Sequence, residues 1–546
     1  MADVIPEIDP NAPRALQATP WPRWAAPAAG VAAGALAITV GMLVAAIIDV
    51  VSPIDAVGSE VIDRVPKWLK TLAIDLFGTN DKTALRVGII TILAIAAAVF
   101  GRLAWRRFAA GVVGFAVFAV IGVAAAVHRP NQPGSAVIPP TVGALAGITL
   151  LALIIRRRPP SATAAEIPGR SRVPLGWDRR RFLTTTAAGA TTAVVAGSIA
   201  RAIDRQRLDD VRNSAPEIIP PAAEPTPTTA VAAGGAPSAG ASGDNPGGVA
   251  ELAQITPFIT PNDEFYRIDT ALSFPRADLD TWKVTIGGMV DTPISLTYND
   301  LLARPLVERT ITLCCVSNEV GGDLIGNAVW KGVLLADLLA EAGVQPGAEQ
   351  VYSTSLDGWT CGFPVEVALD GRDAMIAVAM NGEPLPIMHG FPARLVVPGV
   401  YGYVSATKWL DKIELTTWAE EEGYWVPRGW ARDAPVKTQS RIDVPRRGDK
   451  IAAGRAAVAG VAWAQHRGIA KVEVGIDGVW AEARLSDDVT DDAWRQWVYE
   501  WDATIGKHII QVRATDKTGE TQTEELARVD PDGATGWHTR KVTVAA

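Results

Sequence analysis

A multi-domain chain is predicted, with N-terminal transmembrane α-helices, then a mixed α/β domain, then an all-β sandwich of immunoglobulin type. Three observations predict it. The 546 residues exceed what one hydrophobic core organises. The first ~160 residues are dominated by Ala, Val, Ile, Leu and Gly, whereas those after Asp263 carry the mixed charge, Trp and Pro of a water-soluble protein. After Pro445 the apolar pattern changes from short mixed runs to a sustained period of two, as in a strand with one buried face.

Four apolar segments near 27–48, 87–103, 108–127 and 140–155 have about the length needed to cross ~30 Å of hydrocarbon at ~1.5 Å per residue. Arginines alternate between their connections: Arg14 and Arg23, then Arg102, Arg106 and Arg107, then Arg156, Arg157 and Arg158. Positive charge stays with the cytoplasmic loops, which puts the N-terminus inside. A fifth segment begins Asp178-Arg179-Arg180-Arg181-Phe182-Leu183 and continues Ala-, Thr- and Gly-rich to about 200. It reads either as an internal twin-arginine export signal or as a positively flanked fifth transmembrane helix over 182–200, and both readings carry the chain outward. Residues 1–203 are thus expected to form a membrane domain of about five helices. Residues 204–249, rich in Pro, Ala, Gly, Thr and Ser, are expected to form a disordered tether.

Between 250 and 420 strand candidates at Trp282–Ile286, Thr310–Leu313, Arg394–Val397 and Lys412–Leu415 alternate with helix-like runs, among them Leu334 to Gly343, where Gly closes the helix. From 421 to 546 alternating strands around Val472, Val474 and Ile476, around Trp497, Tyr499 and Trp501, and around Ile510 and Val512, with a turn at Asp477-Gly478, read as the sandwich.

Composition sets limits on function. The net charge of -8, with no basic stripe in the soluble half, gives no reason to expect nucleic acid as a partner. Cys314, Cys315 and Cys361 are the only cysteines. Three thiols, two of them adjacent, make a poor disulfide framework, and no Cys-x-x-Cys pair offers a zinc, iron–sulfur or covalent haem site.

The chemistry lies in two blocks. Thr312-Leu-Cys314-Cys315-Val-Ser317-Asn318 offers a thiol in a turn. His389-Gly-Phe-Pro-Ala-Arg394 and Ser405-Ala406-Thr407-Lys408-Trp409 offer cations and backbone donors suited to a phosphorylated cofactor. In order and wording these blocks resemble the sulfite oxidase family of molybdenum–pterin oxidoreductases, from about Ile255 to the C-terminus. The resemblance implies a molybdenum–molybdopterin cofactor with Cys315 as metal ligand and catalytic residue, because Val316, Ser317 and Asn318 follow it in the family's pattern. It implies Asn262, Phe265, Tyr266, Ser355, His389, Arg394, Ala406, Thr407 and Lys408 as cofactor contacts. It also makes the sandwich similar to the family's dimerisation domain, so two chains could pair through it.

Two positions depart from the family. Glu319 follows Asn318 where sulfite oxidases carry a sulfite-binding arginine nearby, and Val378 stands where they place a tyrosine ahead of Met380-Asn381-Gly382. The expected activity is two-electron oxygen-atom transfer on a small molecule outside the cytoplasm by a membrane-anchored enzyme, with electrons exchanged through a separate cytochrome or quinone-linked partner. No haem is expected in this chain, since His128 is the lone histidine of the predicted helices and lies at a membrane edge. Two alternatives stand beside it: a sulfoxide or N-oxide reductase with the same cofactor, and a degenerate membrane-tethered scaffold.

Overall fold

The computed structural model describes residues 22–66, 81–155, 179–214 and 255–546. The expectations for Arg14, for Arg156 to Arg158 and for most of the tether fall outside them. The chain divides into two compact units, Met1–Arg207 and Leu208–Ala546.

Five helices of the first unit are long and apolar enough to cross a membrane. They are α1 (Ala25–Ile48), α3 (Asp81–Arg106), α4 (Phe108–His128), α5 (Ile138–Ile155) and α6 (Arg179–Asn213). Their packing uses small residues, which let backbones approach where no side chain intervenes. A Cβ on Gly30 would run into the Ala97 carbonyl, one on Gly101 into that of Ala26, and one on Gly143 into that of Ala37. Large apolar side chains such as Val120, Ile92 and Val194 point outward instead.

Two features differ from the expected membrane domain. A short helix, α2 (Pro53–Arg64), follows α1; Ser52 caps it by accepting the Asp55 N–H at 3.1 Å. Asp55 pairs with Arg86 at 3.4 Å, and Asp63 with Arg129 at 2.6 Å, so its polar face is held by the ends of α3 and α4. Such a short polar stretch gives no transmembrane signal. Second, α6 continues through Asn213, beyond the expected start of the tether at 204. Arg207 explains the extension: it pairs with Asp49 at 2.7 Å and donates to the Ile47 carbonyl at 3.2 Å, tying this turn to the end of α1.

The second unit opens with two sheets. One runs β2 (Ile294–Thr297), β1 (Lys283–Gly288), β10 (Leu410–Thr416), β5 (Gln350–Ser355), β6 (Thr360–Pro364), with β1 and β10 parallel. The other runs β3 (Val307–Cys314), β4 (Ile325–Leu334), β7 (Met375–Met380), β8 (Glu383–Pro384), with β9 (Arg394–Val396) also on β7. The helix Leu335–Ala342 ends at Gly343, whose φ of 71° lies in the left-handed region that favours glycine. Fully buried Trp330, Phe363 and Phe391 belong to one core shared by these elements.

Two further sheets, of four and five strands, enclose a second core containing Ile442, Val458, Trp497, Val472, Val474, Ile510 and Val512. Asp477 and Gly478, with φ of 51° and 86°, make the tight turn between the strands Ile469–Ile476 and Val479–Glu482. The first strand of these sheets starts only at Gln439, because the chain after 421 still fills the α/β core with Ala434 and Val436. Trp494 crosses the other way, donating its indole N–H to the Phe258 carbonyl at 2.8 Å from within that core.

Trp330 anchors β4 with an indole bond to the Ile311 carbonyl at 3.1 Å. Trp330→Ala is expected to destabilise the second unit by about 3–5 kcal/mol, read as a lower urea midpoint with the helical bundle intact.

Candidate functional site

Cys314 closes the β3–β4 ladder opposite Ile325, and Cys315 is the first residue beyond it. The Cys315 N–H donates to the Leu324 carbonyl at 3.0 Å. The Asn318 side chain accepts the Leu324 N–H at 2.9 Å, while its own N–H donates back to the Cys315 carbonyl at 3.0 Å. The turn carrying the thiol is therefore latched at both ends. Alternation along the strand separates the two cysteines: Cys314 belongs to the hydrophobic core and Cys315 does not. Burial pushes both thiols up in pKa, Cys314 well up; Asn318 and the charge of Arg441 oppose this at Cys314, and the Ser317 N–H and hydroxyl and the charge of Lys408 oppose it at Cys315. Gly321, at φ of 75°, lies against the His538 ring, and Arg441 donates to the Gly322 carbonyl at 2.9 Å, so this turn also rests on residues of the C-terminal sheets.

The second block folds into a knot of positive charge. Arg394 lies on β9, 4% exposed, with Nη1 donating to the His389 carbonyl at 3.1 Å and its guanidinium 5.0 Å from the Trp330 ring centre. Burial pulls its pKa down to about 10. Lys408 Nζ meets Asp269 Oδ2 at 2.9 Å and the Met388 carbonyl at 3.4 Å; burial brings this lysine down to about 8 against the opposing carboxylate. Arg267 grips the same carboxylate twice, at 2.8 and 3.1 Å. The chain can close this tightly because Gly390, at φ of 114°, leaves room where a Cβ would stand 3.1 Å from both Arg394 Cβ and Lys408 Cα.

His389 is 1% exposed, with Nε2 2.8 Å from the Asn262 carbonyl, to which it donates as a neutral ring. Burial, then the nearby charges of Arg394, Lys408 and Arg267, bring its pKa down to about 4. Asn262 is itself held by Asn381, whose amide donates to its Oδ1 at 2.8 Å. Phe265 packs edge-on against His389 and Trp330, at 5.5 and 5.7 Å between ring centres, and Tyr266 stacks on Phe265 at 5.2 Å. The Tyr266 phenol is pushed well up by burial and by the nearby thiols Cys315 and Cys314, opposed by Arg394. Asn262, Phe265, Tyr266, Cys315, His389, Arg394 and Lys408 thus converge on one place.

The remaining expected residues lie beside it with different roles. Ser355 is fully enclosed at the end of β5, opposite Leu410, and the Ala406 N–H is used by the Gly402 carbonyl at 3.0 Å. Thr407 turns its hydroxyl into the interior, 2.7 Å from Ser353 Oγ and 3.1 Å from Cys361 Sγ. Val378 is wholly buried in the core, and Glu319 faces solvent. Residue patterns passed over Asp269, Arg441 and the structural role of Asn381. Asn381 lies inside the Met-Asn-Gly string and was within reach; Asp269 and Arg441, whose partners Lys408 and Gly322 lie far along the chain, gave no signal.

The cluster is unbalanced in charge. Arg267 and Lys408 share Asp269, while Arg394 is held by carbonyl oxygens of His389 and Leu395, which leaves two positive charges in a largely buried site next to a thiol. That donor set fits a phosphate-bearing cofactor whose metal takes a thiolate. The chain is similar to several known proteins. The family described as oxidoreductase molybdopterin binding domain matches residues 271–425. Human mitochondrial sulfite oxidase is 30% identical over 322 residues, half of this chain and 58% of that protein. The Arabidopsis thaliana sulfite oxidase is 29% identical over 352 residues, 53% of this chain and 87% of that one. The uncharacterized oxidoreductase YuiH of Bacillus subtilis is 36% identical over 153 residues, 28% of this chain and 74% of its own length. The sulfane dehydrogenase SoxCD from Paracoccus pantotrophus superposes with a TM-score of 0.47 at 26% identity, covering 54% of this chain and 85% of that one. The chain thus spans little more than half of the human relative.

His389 and His538 are both buried, with pKa values near 4 against an ordinary 6.5. Between those values the unfolded chain binds protons that the folded chain refuses. Stability of the cofactor-free protein therefore falls as pH drops from about 6.5 to 4, by on the order of 3 kcal/mol per histidine. Thermal melts at pH 7.5 and 4.5 should show this, and His389→Gln should remove part of the slope.

Proposed function

Because this chain belongs to the sulfite oxidase family of molybdopterin-binding oxidoreductases, we propose that it is a membrane-anchored enzyme performing two-electron oxygen-atom transfer on a small molecule outside the cytoplasm. The observation that carries the reading is the pair of uncompensated positive charges beside Cys315. When bound, the molybdenum–molybdopterin group supplies the oxygen-atom transfer itself. The protein's part is positional. Cys315 would hold the metal from a turn latched by Asn318, Arg394 and Lys408 would bind the terminal phosphate, and Asn262, Phe265 and Tyr266 would grip the pterin. Ser355, Ala406 and Thr407 would shape the wall, Thr407 through its backbone, since its hydroxyl is engaged by Ser353 and Cys361. Neutral His389 donates to Asn262 and so fixes the gripping segment against the phosphate site.

Oxidation of an anionic substrate such as sulfite is one direction. Reduction of a neutral sulfoxide or N-oxide is the second: at the positions where the family carries cationic and phenolic groups, this chain has Glu319, which faces solvent, and Val378, which is buried in the core, and neither offers a donor to an anion. Arg23, Arg102, Arg106 and Arg107 support a cytoplasmic placement of one set of connections, with α6 leading outward to the catalytic unit. The two-sheet C-terminal region would be the immunoglobulin-like domain through which two chains pair. Electrons would pass to or from a separate cytochrome or quinone-linked protein.

Cys315→Ser is expected to lower turnover by more than about 100-fold, beyond the range typical of outer contacts, with pterin content retained. Cys314→Ser, a core change, should lower it far less. Steady-state assays with acceptors and donors, run in both directions, would distinguish them; the reverse ranking would give the metal to Cys314.

A further inference from the structure

We propose that Asp269 is an internal stand-in for the cofactor's terminal phosphate: a positioning residue that holds Lys408 and Arg267 ready in the cofactor-free protein and releases Lys408 to the incoming anion. The inference rests on the reading that this cluster binds a phosphate-bearing cofactor. Its carboxylate is 8% exposed and accepts Lys408 Nζ at 2.9 Å on the same oxygen that accepts Arg267 Nε at 2.8 Å, while Arg267 Nη2 reaches the other oxygen at 3.1 Å.

The two cations are held differently. Arg267 makes a planar two-point grip and also stacks on Phe274 at 4.3 Å, so it is anchored. Lys408 is a point charge on a flexible stem whose other contacts are looser than a two-point grip: the Met388 carbonyl at a weak 3.4 Å and the Trp409 ring centre at 5.3 Å. The exchangeable partner is therefore Lys408. Arg394 contributes a third charge held by carbonyl oxygens of His389 and Leu395. With Asp269 present, the cluster carries two surplus positive charges, the complement of a phosphate monoester, which carries about two negative ones. Without it, three cations would be left in a poorly solvated site, where like charges repel strongly.

A consequence follows that a merely structural ion pair would not produce. Asp269→Asn should destabilise the cofactor-free protein, yet bind phosphate more tightly, because a negative competitor has been removed. The test uses the full chain, purified in detergent from a host unable to make pterin, with thermal melts across an inorganic phosphate titration. Asp269→Asn should melt lower without phosphate, bind phosphate on the order of tenfold more tightly than wild type, and approach the wild-type melting temperature at saturation. Asp269→Glu should behave as wild type. If Asp269→Asn alone does not fold, the double variant Asp269→Asn with Lys408→Met, which removes both charges of the pair, should fold and lose the gain in affinity. Equal destabilisation at all phosphate concentrations, weaker phosphate binding, or failure of the double variant to fold would overturn the proposal. Wild-type protein from a pterin-making host decides the underlying reading separately: lack of pterin there sinks the cofactor assignment, whereas normal pterin with unaltered phosphate affinity in Asp269→Asn sinks only the role of Asp269.

Discussion

Burying positive charge without enough negative charge is the constraint on which this structure turns. Arg394 is almost fully enclosed, Lys408 nearly so, and Arg267 lies against the same carboxylate. Taking such groups out of water is expensive unless they are paired, and the depressed pKa values of Arg394 and Lys408 are the direct expression of that strain. A fold keeps an arrangement of this kind when something else completes it. A dianionic phosphate attached to a metal-bearing pterin, the group we propose, would complete both the charge and the thiol beside it.

The architecture supplies the pieces from widely separated segments. The end of β3 delivers Cys315, the turn at His389-Gly390 and β9 deliver the guanidinium, the approach to β10 delivers Lys408, and the strand-free segment before β1 delivers Asn262 to Asp269. Trp330 ties three of them together, under Arg394, against Phe265 and bonded to β3. The C-terminal sheets buttress the thiol turn through Arg441 and His538. The geometry of the cluster thus depends on both cores of the second unit, since the residues that would touch a ligand are themselves held by others behind them.

Much of this was legible in the residues because the informative groups are contiguous. Cys315 with Asn318, and His389 with Gly390 and Arg394, are local strings whose chemistry survives without knowledge of the fold. The strand alternation that turns Cys314 inward was legible for the same reason, as was the helix closed by Gly343. What escaped depends on contacts across the chain. Nothing local marks Asp269 as the partner of Lys408, 139 residues away. The extension of α6 relies on Arg207 meeting Asp49, and α2 on Arg86 and Arg129. The Thr407 hydroxyl is claimed by Ser353 and Cys361, which only the pairing of β5 with β6 brings beneath it.

Metal and pterin stoichiometry measures the central claim most directly. The full chain, purified in detergent from a host that makes the cofactor, should contain close to one molybdenum and one pterin per chain, both lost together when Arg394 is replaced by Ala. A folded, monodisperse preparation from that host carrying neither would contradict the claim, and the buried positive charge would then need another anion to explain it.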